Sequence, residues 1–438
     1  MRNLFLVLCV STALAAPIHV HESAFHPGPD GKPAGWTTWS ARAETAPRCF
    51  VDTLRYRSHP GSLAISGASN IAEHGGWERN VSGIEAGAWY RATAYYRSEA
   101  VEQESLQVVA RLDWRDERNR RTGQPDYIYK ARRDGAWTKV TLDAPAPPKT
   151  TAVVLQLYLS NSPQGTVWWD DISLEQVPTP APRRVTVASI NLKPSGTKSA
   201  AESVRQFLAA TESSVHGKTD VIVFPEGITV VGTGKSYPEV AESIPGPTTT
   251  TLGELARKRS SYVVAGIYER EGPAVYNTAV LLNRAGDVIG KYRKVYLPRE
   301  EIERGLTPGS DYPVFQTDFG MVGLMICYDV FFADPARALV SKGAEMILMP
   351  IWGGDETLGK ARAIENKVFL VASGYDYPTY VMDPDGEILS RAQQRGDAAV
   401  ATVDLSKRYW HPQLGDMRNR RPKELRLDVK PPLPGFEN

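Results

Sequence analysis

A proline-rich segment, Pro178-Thr179-Pro180-Ala181-Pro182, divides the 438-residue chain into two stretches of different pattern. Alternating prolines lack the backbone N–H groups that helices and sheets require and favour an extended chain, so residues 178–184 are predicted to be an interdomain linker. Before this segment, short strand-like runs alternate with turn residues. After it, strand-like runs alternate with helical ones. We therefore predict two domains of different fold class.

The first stretch, residues 19–177, is predicted to be an all-β sandwich. Runs such as residues 89–96, 106–112 and 152–159 show the period-two alternation of half-buried strands. Gly, Pro and Asn turns separate these runs at the spacing that is typical of β-sandwiches. The run at residues 165–174 is expected to form the closing strand.

The second stretch, residues 185–410, is predicted to be an α/β domain. A buried apolar strand is expected at residues 220–224, and amphipathic helices are expected at 199–214 and 249–258. Strands that alternate with helices are typical of layered α/β folds. Residues 411–438 are rich in Pro and charge, and we expect them to form a C-terminal surface tail.

The first 16 residues have the three-part pattern of a secretory signal peptide. Arg2 precedes a short apolar run, and the small residues Ala13 and Ala15 follow it. A secreted or periplasmic protein is therefore predicted. Cys9 would be removed with the leader. No apolar run is long enough to predict a membrane span.

Composition argues against two other classes of protein. The formal net charge is +1, which provides no long-range field to attract nucleic acid. The seven His residues are scattered and show no zinc-ligand spacing near a Cys, so no metal site is predicted for the second domain.

Three segments of the second domain place reactive side chains directly after strands. Glu226 follows the apolar run 221–224 and Pro225, Lys294 ends a cationic strand, and Cys327 follows the hydrophobic run 321–326. Strand ends suit reactive groups in α/β sheets because the strand fixes the position while the loop exposes the side chain. Each segment alone also fits a structural role as a turn, a solvated face or a core cysteine. The three together favour a reactive site.

The motifs Phe224-Pro225-Glu226, Tyr292-Arg293-Lys294 and Ile326-Cys327-Tyr328-Asp329 resemble the Glu, Lys and Cys signatures of the nitrilase superfamily, the carbon–nitrogen hydrolases. Further similar segments lie at residues 343–350, 361–366 and 383–389, so the resemblance covers about residues 184–420. It implies a four-layer α-β-β-α sandwich, a homo-oligomer formed through this domain, and no required cofactor.

The resemblance implies catalysis by Cys327 as nucleophile, Glu226 as general base and acid, and Lys294 as the partner of the oxyanion. A thiol is mostly protonated near neutral pH and therefore needs a base. A carboxylate in an enclosed site suits that task, and a fixed ammonium would stabilise the oxyanion of an attacked amide. Hydrolysis would proceed through a thioester on Cys327. Because Cys327 must then be a free thiol, Cys49 is predicted to be a buried small hydrophobe.

Members of the family often carry a second Glu beside the Lys. Glu300, Glu301 and Glu303 all follow Lys294 closely, and the spacing to the Pro308-Gly309 pair favours Glu303. A charged surface loop is the alternative interpretation of this segment.

The Tyr328-Asp329 pair after the nucleophile resembles amidases and carbamoyl hydrolases, so an amide substrate is predicted. The candidate substrate contacts are Tyr328, Trp352 and Tyr375, although Trp352 fits a core position equally well. Nitrile hydrolysis and transfer of the acyl group to an amine, both with the same three residues, are alternatives. A non-catalytic glycan-binding surface protein with the same fold is another.

The first domain resembles galactose-binding-like jelly rolls and carbohydrate-binding modules, mainly through the run at residues 167–174. The resemblance implies a glycan as a partner of the β-domain. Trp77 and Trp89 are candidates for stacking on sugar rings, although core positions fit them better. It also implies that an Asp of this run could hold a structural calcium, an ion that prefers carboxylate oxygens.

Overall fold

The computed structural model describes residues 18–375, 378–411 and 413–426. These residues form two compact units, one made of residues 18–180 with the described residues after 409, the other of residues 181–409. The division falls inside the proline-rich segment. The predicted signal peptide at residues 1–16, with Cys9, lies outside the described residues. Within the described ranges, no helix is long and apolar enough to cross a membrane.

The first unit is β-rich. Its elements in chain order are β1 (Ile18–Glu22), β2 (Trp36–Ser40), a 3-10 turn (Ala43–Thr45), β3 (Arg48–Asp52), β4 (Ser62–Ser66), β5 (His74–Ser82), β6 (Trp89–Glu99), α1 (Glu104–Gln107), β7 (Val108–Arg115), β8 (Asp126–Tyr127), β9 (Lys130–Asp134), β10 (Trp137–Pro145), β11 (Ala152–Ser160) and β12 (Thr166–Val177).

These strands form two antiparallel sheets. One has the order β3-β4-β12-β6-β10-β9, with β1 on β12, and the other has the order β2-β5-β11-β7-β8. Both sheets contribute to one core that includes Trp77, Trp114, Leu155 and Trp169. Strand alternation explains why Trp169 lies in this core while Trp168 joins a smaller cluster. The β-rich character predicted for this stretch is confirmed.

The second unit alternates strands and helices. Its elements are β13 (Arg184–Ile190), α2 (Ala200–Ser214), β14 (Val221–Val223), α3 (Tyr237–Val240), α4 (Pro247–Arg259), β15 (Tyr262–Glu271), β16 (Ala274–Leu282), β17 (Val288–Arg293), α5 (Arg299–Glu303), β18 (Val314–Gln316), β19 (Met321–Leu324), a 3-10 helix (Cys327–Phe331), α6 (Asp334–Ser341), β20 (Met346–Pro350), α7 (Glu356–Asn366), β21 (Phe369–Ser373), β22 (Tyr380–Met382), β23 (Ile388–Arg391) and β24 (Ala398–Asp404).

Two six-stranded sheets make up the centre of this unit, with the orders β17-β16-β15-β14-β13-β24 and β18-β19-β20-β21-β22-β23. Val223 and Leu348 belong to a core between the two sheets. Phe207 of α2 packs in a second core against the first sheet, and Leu339 of α6 in a third against the second sheet. The unit is therefore a layered α-β-β-α structure, and the α/β fold predicted from the sequence is confirmed.

The helix boundaries follow capping rules. Ser199 caps α2 by accepting the backbone N–H of Glu202 at 3.3 Å. Helix α4 begins at Pro247, two residues before the predicted start, since proline fits the first turn, where no intrahelical N–H bond is lost.

The end of the chain contributes β25 (Trp410–His411), β26 (Gly415–Asp416) and α8 (Met417–Glu424) to the first unit. The buried amide of Asn419 donates a 2.8 Å hydrogen bond to the buried carboxylate of Asp126. The sequence predicted only a surface tail here. Part of this segment is instead folded against the β-rich unit, because Asp126 provides a partner that is remote in sequence.

Candidate active site

Glu226 lies just beyond the carboxyl end of β14. The strand is fully buried and ends before Pro225, which places the Glu226 side chain at the sheet edge, 2% exposed. Gly266 of the neighbouring strand β15 allows this close packing. A Cβ atom at that position would lie 2.6 Å from the Glu226 Cα. The Tyr375 hydroxyl donates to the Glu226 carbonyl oxygen and fixes the backbone of this turn.

Lys294 follows β17, where side chains alternate between two sides. Lys291 and Arg293 both pair with the buried Glu269, whereas Lys294 points to the other side and is 1% exposed. Its Nζ lies 2.9 Å from Glu226 Oε1. Burial lowers the pKa of Lys294, but the adjacent negative charges, led by that of Glu226, outweigh it and hold the pKa above its usual value. Lys294 is therefore an ammonium ion.

Cys327 follows β19 and opens the 3-10 helix Cys327–Phe331. Its backbone φ of +42° lies in the left-handed region, which residues other than glycine rarely adopt. The Sγ atom donates to the carbonyl oxygen of Gly353 at 3.1 Å. Burial raises the pKa of the thiol to about 12, with Glu226 raising it further and Lys294 opposing. The resting group is a thiol, which must lose a proton before it can attack.

Asp329 organises the turn that carries Cys327. This fully buried carboxylate accepts the backbone N–H of Ile326 at 2.9 Å and of Tyr296 at 3.1 Å. Burial raises its pKa to about 6 although these hydrogen bonds lower it. The carboxylate therefore links residues on both sides of the site.

Asn277, in β16, connects two carboxylates. Its Nδ2 atom donates to Glu226 Oε1 at 2.6 Å and to Glu301 Oε1 at 2.8 Å. Lys294 Nζ donates to the same two oxygens, at 2.9 and 3.1 Å. Glu226 Oε2 has no hydrogen-bond partner within the described part of the chain. This oxygen is the one that remains available to receive a proton.

Asn277 is a site residue that was not predicted from the sequence. One signal was present, since Asn is depleted in strands and Asn277 interrupts a run of strand-forming residues. Its partners could not be read from the sequence, because Glu226 lies in the turn after β14 and Glu301 lies on α5.

The prediction of Glu303 as the second glutamate is wrong. Glu303 is exposed and pairs with Arg299 at 2.6 Å, and Glu300 is exposed and pairs with Arg304. Glu301 lies instead on the inner side of α5, with Oε2 3.0 Å from Lys294 Nζ. Burial, supported by the charge of Glu226, raises the pKa of Glu301 against the opposing effect of Lys294. Residues two apart on a helix lie on different faces, so Glu301 and Glu303 of α5 cannot both face Lys294.

A cavity of about 650 Å³ joins these groups. Glu226, Lys294, Glu301 and Cys327 all line it, as does the predicted contact Trp352. Trp352 is 43% exposed, so it is a wall of the cavity rather than a core residue.

Two of the predicted substrate contacts lie elsewhere. The ring of Tyr328 packs on Phe331 and Phe332, at 5.2 and 5.5 Å between centroids, and it does not line the cavity. Phe331 lines the cavity in its place, because the 3-10 turn rotates Tyr328 away. Tyr375 is buried behind Trp352, with ring centroids 4.8 Å apart. Its hydroxyl group holds the backbone of Glu226 by a hydrogen bond to the carbonyl oxygen.

The described residues do not fit a calcium ion at the run 167–174. Asp170 Oδ2 accepts the backbone N–H groups of Arg57 and Ser58, at 2.7 and 2.9 Å, and Asp171 pairs with the Arg57 guanidinium. The guanidinium already supplies the positive charge that a cation would bring. Across the described ranges, no cluster of three or more His, Cys, Asp or Glu is suited to a metal ion.

Comparison with known proteins assigns the second unit to a protein family. Residues 186–410, about half of the chain, match the carbon-nitrogen hydrolase family model. Omega-amidase NIT2 of Homo sapiens is 30% identical over 213 residues, covering 43% of this chain and 77% of that protein. A nitrilase of Pyrococcus abyssi is 35% identical over 215 residues, covering 44% of this chain and 80% of that protein.

A solved structure of Saccharomyces cerevisiae Nit3, a member of branch 10 of the nitrilase superfamily, aligns with 24% identity and a TM-score of 0.45, covering 50% of this chain and 90% of that one. The family match and the two sequence relatives carry the assignment. The chain belongs to the carbon–nitrogen hydrolase family of the nitrilase superfamily and is an enzyme of the amidase or nitrilase type.

Proposed function

We propose that the enzyme hydrolyses an amide or carbamoyl C–N bond through a thioester on Cys327. The observation that carries this proposal is the contact of Glu226 with Lys294 at the floor of the cavity that Cys327 also lines. This contact brings a base and a fixed positive charge together with the nucleophile in one cavity. These are the three groups that acyl transfer requires.

In the first step, Glu226 Oε2 takes the proton of the Cys327 thiol, and the sulfur attacks the amide carbon. The carbonyl oxygen becomes an oxyanion, which the Lys294 ammonium stabilises. Glu226 then gives its proton to the departing nitrogen, so ammonia or an amine leaves and a thioester remains. In the second step Glu226 removes a proton from water, and the water oxygen attacks the thioester carbon. The C–S bond then breaks, the acid leaves, and Glu226 returns its proton to the Cys327 sulfur.

The buried Lys294 ammonium, which pairs with Glu226 and Glu301, favours catalysis over a binding role. Burying an ammonium ion with two carboxylates costs desolvation free energy. A surface protein that only binds glycans gains nothing in return for this cost. Nitrile hydrolysis and acyl transfer use the same three groups, and they remain alternatives that the substrate screen distinguishes.

The test is a screen of the purified protein for ammonia release from small amides, carbamoyl amino acids and nitriles. Mass spectrometry of the peptide that contains Cys327 would detect the acyl adduct. We expect Cys327→Ala to abolish both signals and Cys49→Ala to retain both. Ammonia release that survives Cys327→Ala would contradict the proposal, and product formation only with an added amine would indicate acyl transfer.

We also propose that the first 16 residues direct secretion and that the β-rich unit is a jelly roll of the carbohydrate-binding-module type. The apolar leader and the two-sheet arrangement support these proposals. Trp77 is buried in the core and donates to a backbone oxygen, so it is not a sugar contact, whereas Trp89 is half-buried. N-terminal sequencing of the exported protein and a glycan array test the two proposals.

A homo-oligomer formed through the hydrolase unit remains a further proposal, which rests on the family membership of that unit. Sedimentation of the purified enzyme would test it, and a monomer at micromolar concentration would contradict it.

A further inference from the structure

A cleft opens at one side of the β-rich unit, beside the edge strands of its two sheets. Strand β2 is the outermost strand of one sheet and β3 of the other. The 3-10 turn Ala43–Thr45 joins these strands and so crosses from one sheet to the other. The cleft has a volume of about 370 Å³, within the usual range for small-molecule sites, and its described lining residues all belong to the segment 32–49. It is therefore separate from the cavity that Cys327 lines.

Trp39 provides a fixed aromatic surface in this cleft. Its side chain lines the cleft and is 38% exposed. The indole ring stacks on the ring of Tyr158, with 5.4 Å between centroids and 9° between planes. The ring of His74 meets it nearly at a right angle, 6.0 Å away. These two contacts hold the indole in one orientation, so a ligand that packs on its exposed part loses little conformational entropy.

Positive charge predominates in the cleft. The charged side chains among its described lining residues are Lys32 and Arg48, both cations. Neither makes an ion pair with a residue in the described ranges. The Arg48 guanidinium lies over the ring of Phe50, 5.2 Å from its centroid, and this contact leaves its charge in place. The Asp30 carboxylate accepts the backbone N–H of Lys32 at 3.1 Å, which stabilises the turn that carries this lysine.

Polar groups and a partly buried thiol complete the cleft. The hydroxyl groups of Thr38 and Ser40 line it. Edge strands also leave backbone N–H and C=O groups unpaired along their outer sides. Cys49 lines the cleft as well and packs on the core of the sandwich. Burial raises the pKa of this thiol to about 12, and the charge of Lys32 opposes that rise. The thiol is therefore neutral, and the Lys32 ammonium lies close enough to act on it.

We propose that this cleft binds an acidic saccharide, whose sugar ring lies on Trp39 and whose carboxylate or sulfate group pairs with Lys32 and Arg48. The inference rests on the proposed carbohydrate-binding role of the β-rich unit. A sugar ring has a face of C–H groups that packs on an aromatic ring, and its hydroxyl groups suit Thr38 and Ser40. The anionic group forms charge-assisted hydrogen bonds with the two cations. An aromatic acid has no hydroxyl groups to satisfy the polar walls.

Calorimetric titration of the full-length protein with three matched probes tests the charge and the ring. The probes are galacturonic acid trimer, its neutral methyl ester and a sulfated galactose trimer. None of them contains an amide bond, so the hydrolase site does not consume them. The galacturonic acid trimer should bind about tenfold more tightly than its methyl ester, because only the acid can pair with the two cations. Comparison with the sulfated trimer shows which anionic group the cleft prefers.

Substitutions in the cleft separate the two kinds of contact. Lys32→Ala and Arg48→Ala should each weaken binding of the galacturonic acid trimer about tenfold and leave binding of the methyl ester unchanged. Trp39→Ala should weaken binding of both. Arg42→Ala is the matched control, since Arg42 is an exposed cation of the same crossover that does not line the cleft. It should change the affinity by less than about twofold.

Cys49 reports on occupancy of the cleft in the unaltered protein. The galacturonic acid trimer should slow alkylation of this thiol by iodoacetamide, followed by mass spectrometry of its peptide. Equal affinity for the acid and its ester would overturn the charge inference while supporting the carbohydrate-binding role of the β-rich unit. Saccharide binding that leaves Cys49 unprotected would overturn the location alone. Binding of inorganic sulfate as tight as that of the trimers, or no binding of any trimer, would contradict the proposed saccharide. Ammonia release from amides is independent of all these outcomes.

Discussion

The hydroxyl of Tyr292 donates a 2.7 Å hydrogen bond to Oδ2 of Asp329, and both side chains are buried. Tyr292 lies two residues before Lys294, and Asp329 lies two residues after Cys327. This bond therefore connects the strand that carries the ammonium with the turn that carries the thiol. It is a link between two motifs that are more than 30 residues apart in the sequence.

Tyr292→Phe should destabilise the enzyme and slow it. The ring is retained, but the buried Asp329 carboxylate loses a donor, at a cost of about 1–3 kcal/mol in the free energy of unfolding. We expect kcat to fall by roughly tenfold, because loss of the link displaces Lys294 relative to Cys327. Urea unfolding and steady-state kinetics measure the two effects. Tyr276→Phe, whose half-buried ring packs on Arg293, is the control. Equal behaviour of both variants would contradict the role of this bond.

Glu301→Gln should reduce kcat by about 100-fold, because it removes a negative charge 3.0 Å from the Lys294 ammonium. Glu303→Gln should leave kcat unchanged. Its carboxylate is exposed, and such surface pairs contribute about 0–1 kcal/mol. Steady-state kinetics with one amide substrate compares the two variants. A loss of activity confined to Glu303→Gln would restore the assignment made from the sequence.

Asn277→Asp should lower kcat/KM and shift its pH profile. The substitution replaces a donor to two carboxylates with a third acid, which disfavours ionisation of Glu301, whose pKa is already raised by burial. The acidic limb of the profile should therefore move to higher pH. Asn283→Asp, in the turn that follows the same strand, is the matched control. A uniform loss of activity at every pH, with no movement of the limb, would assign Asn277 a purely structural role.

Glu269→Gln should change how the free energy of unfolding depends on pH. Burial raises the pKa of Glu269, but hydrogen bonds led by that of Arg293 outweigh it and lower the pKa from 4.5 to about 2. Since the folded-state pKa is lowered, this stabilisation is present above pH 4.5 and is lost as the pH falls towards 2.

Between pH 4.5 and 2, the wild type should therefore lose up to about 3 kcal/mol of unfolding free energy. Glu269→Gln should not show this loss. Urea unfolding at several pH values between 2.5 and 7 measures it. Glu271→Gln removes an exposed acid that pairs with the same Arg293, and it should retain the wild-type dependence.

The fold class could be predicted because it depends on local pattern. Alternation in residues 152–159 reflects a strand with one face in a core, and the proline-rich segment ends one pattern before the next begins. The α/β layering followed from apolar strands separated by amphipathic helices. Helix α4 begins two residues before the predicted start, because Pro247 fits the first turn of a helix although it breaks helical pattern elsewhere.

By itself the sequence determined which residues carry reactive groups and that Glu226, Lys294 and Cys327 follow strands. Only the tertiary structure decided which of three neighbouring glutamates faces Lys294, that Asn277 joins two carboxylates, and that Phe331 rather than Tyr328 lines the cavity. The physical reason is the range of the forces involved. Strand and helix patterns arise from neighbours along the chain, whereas the hydrogen bonds of Asn277 with Glu226 and Glu301 exist only once the sheets and helices have packed.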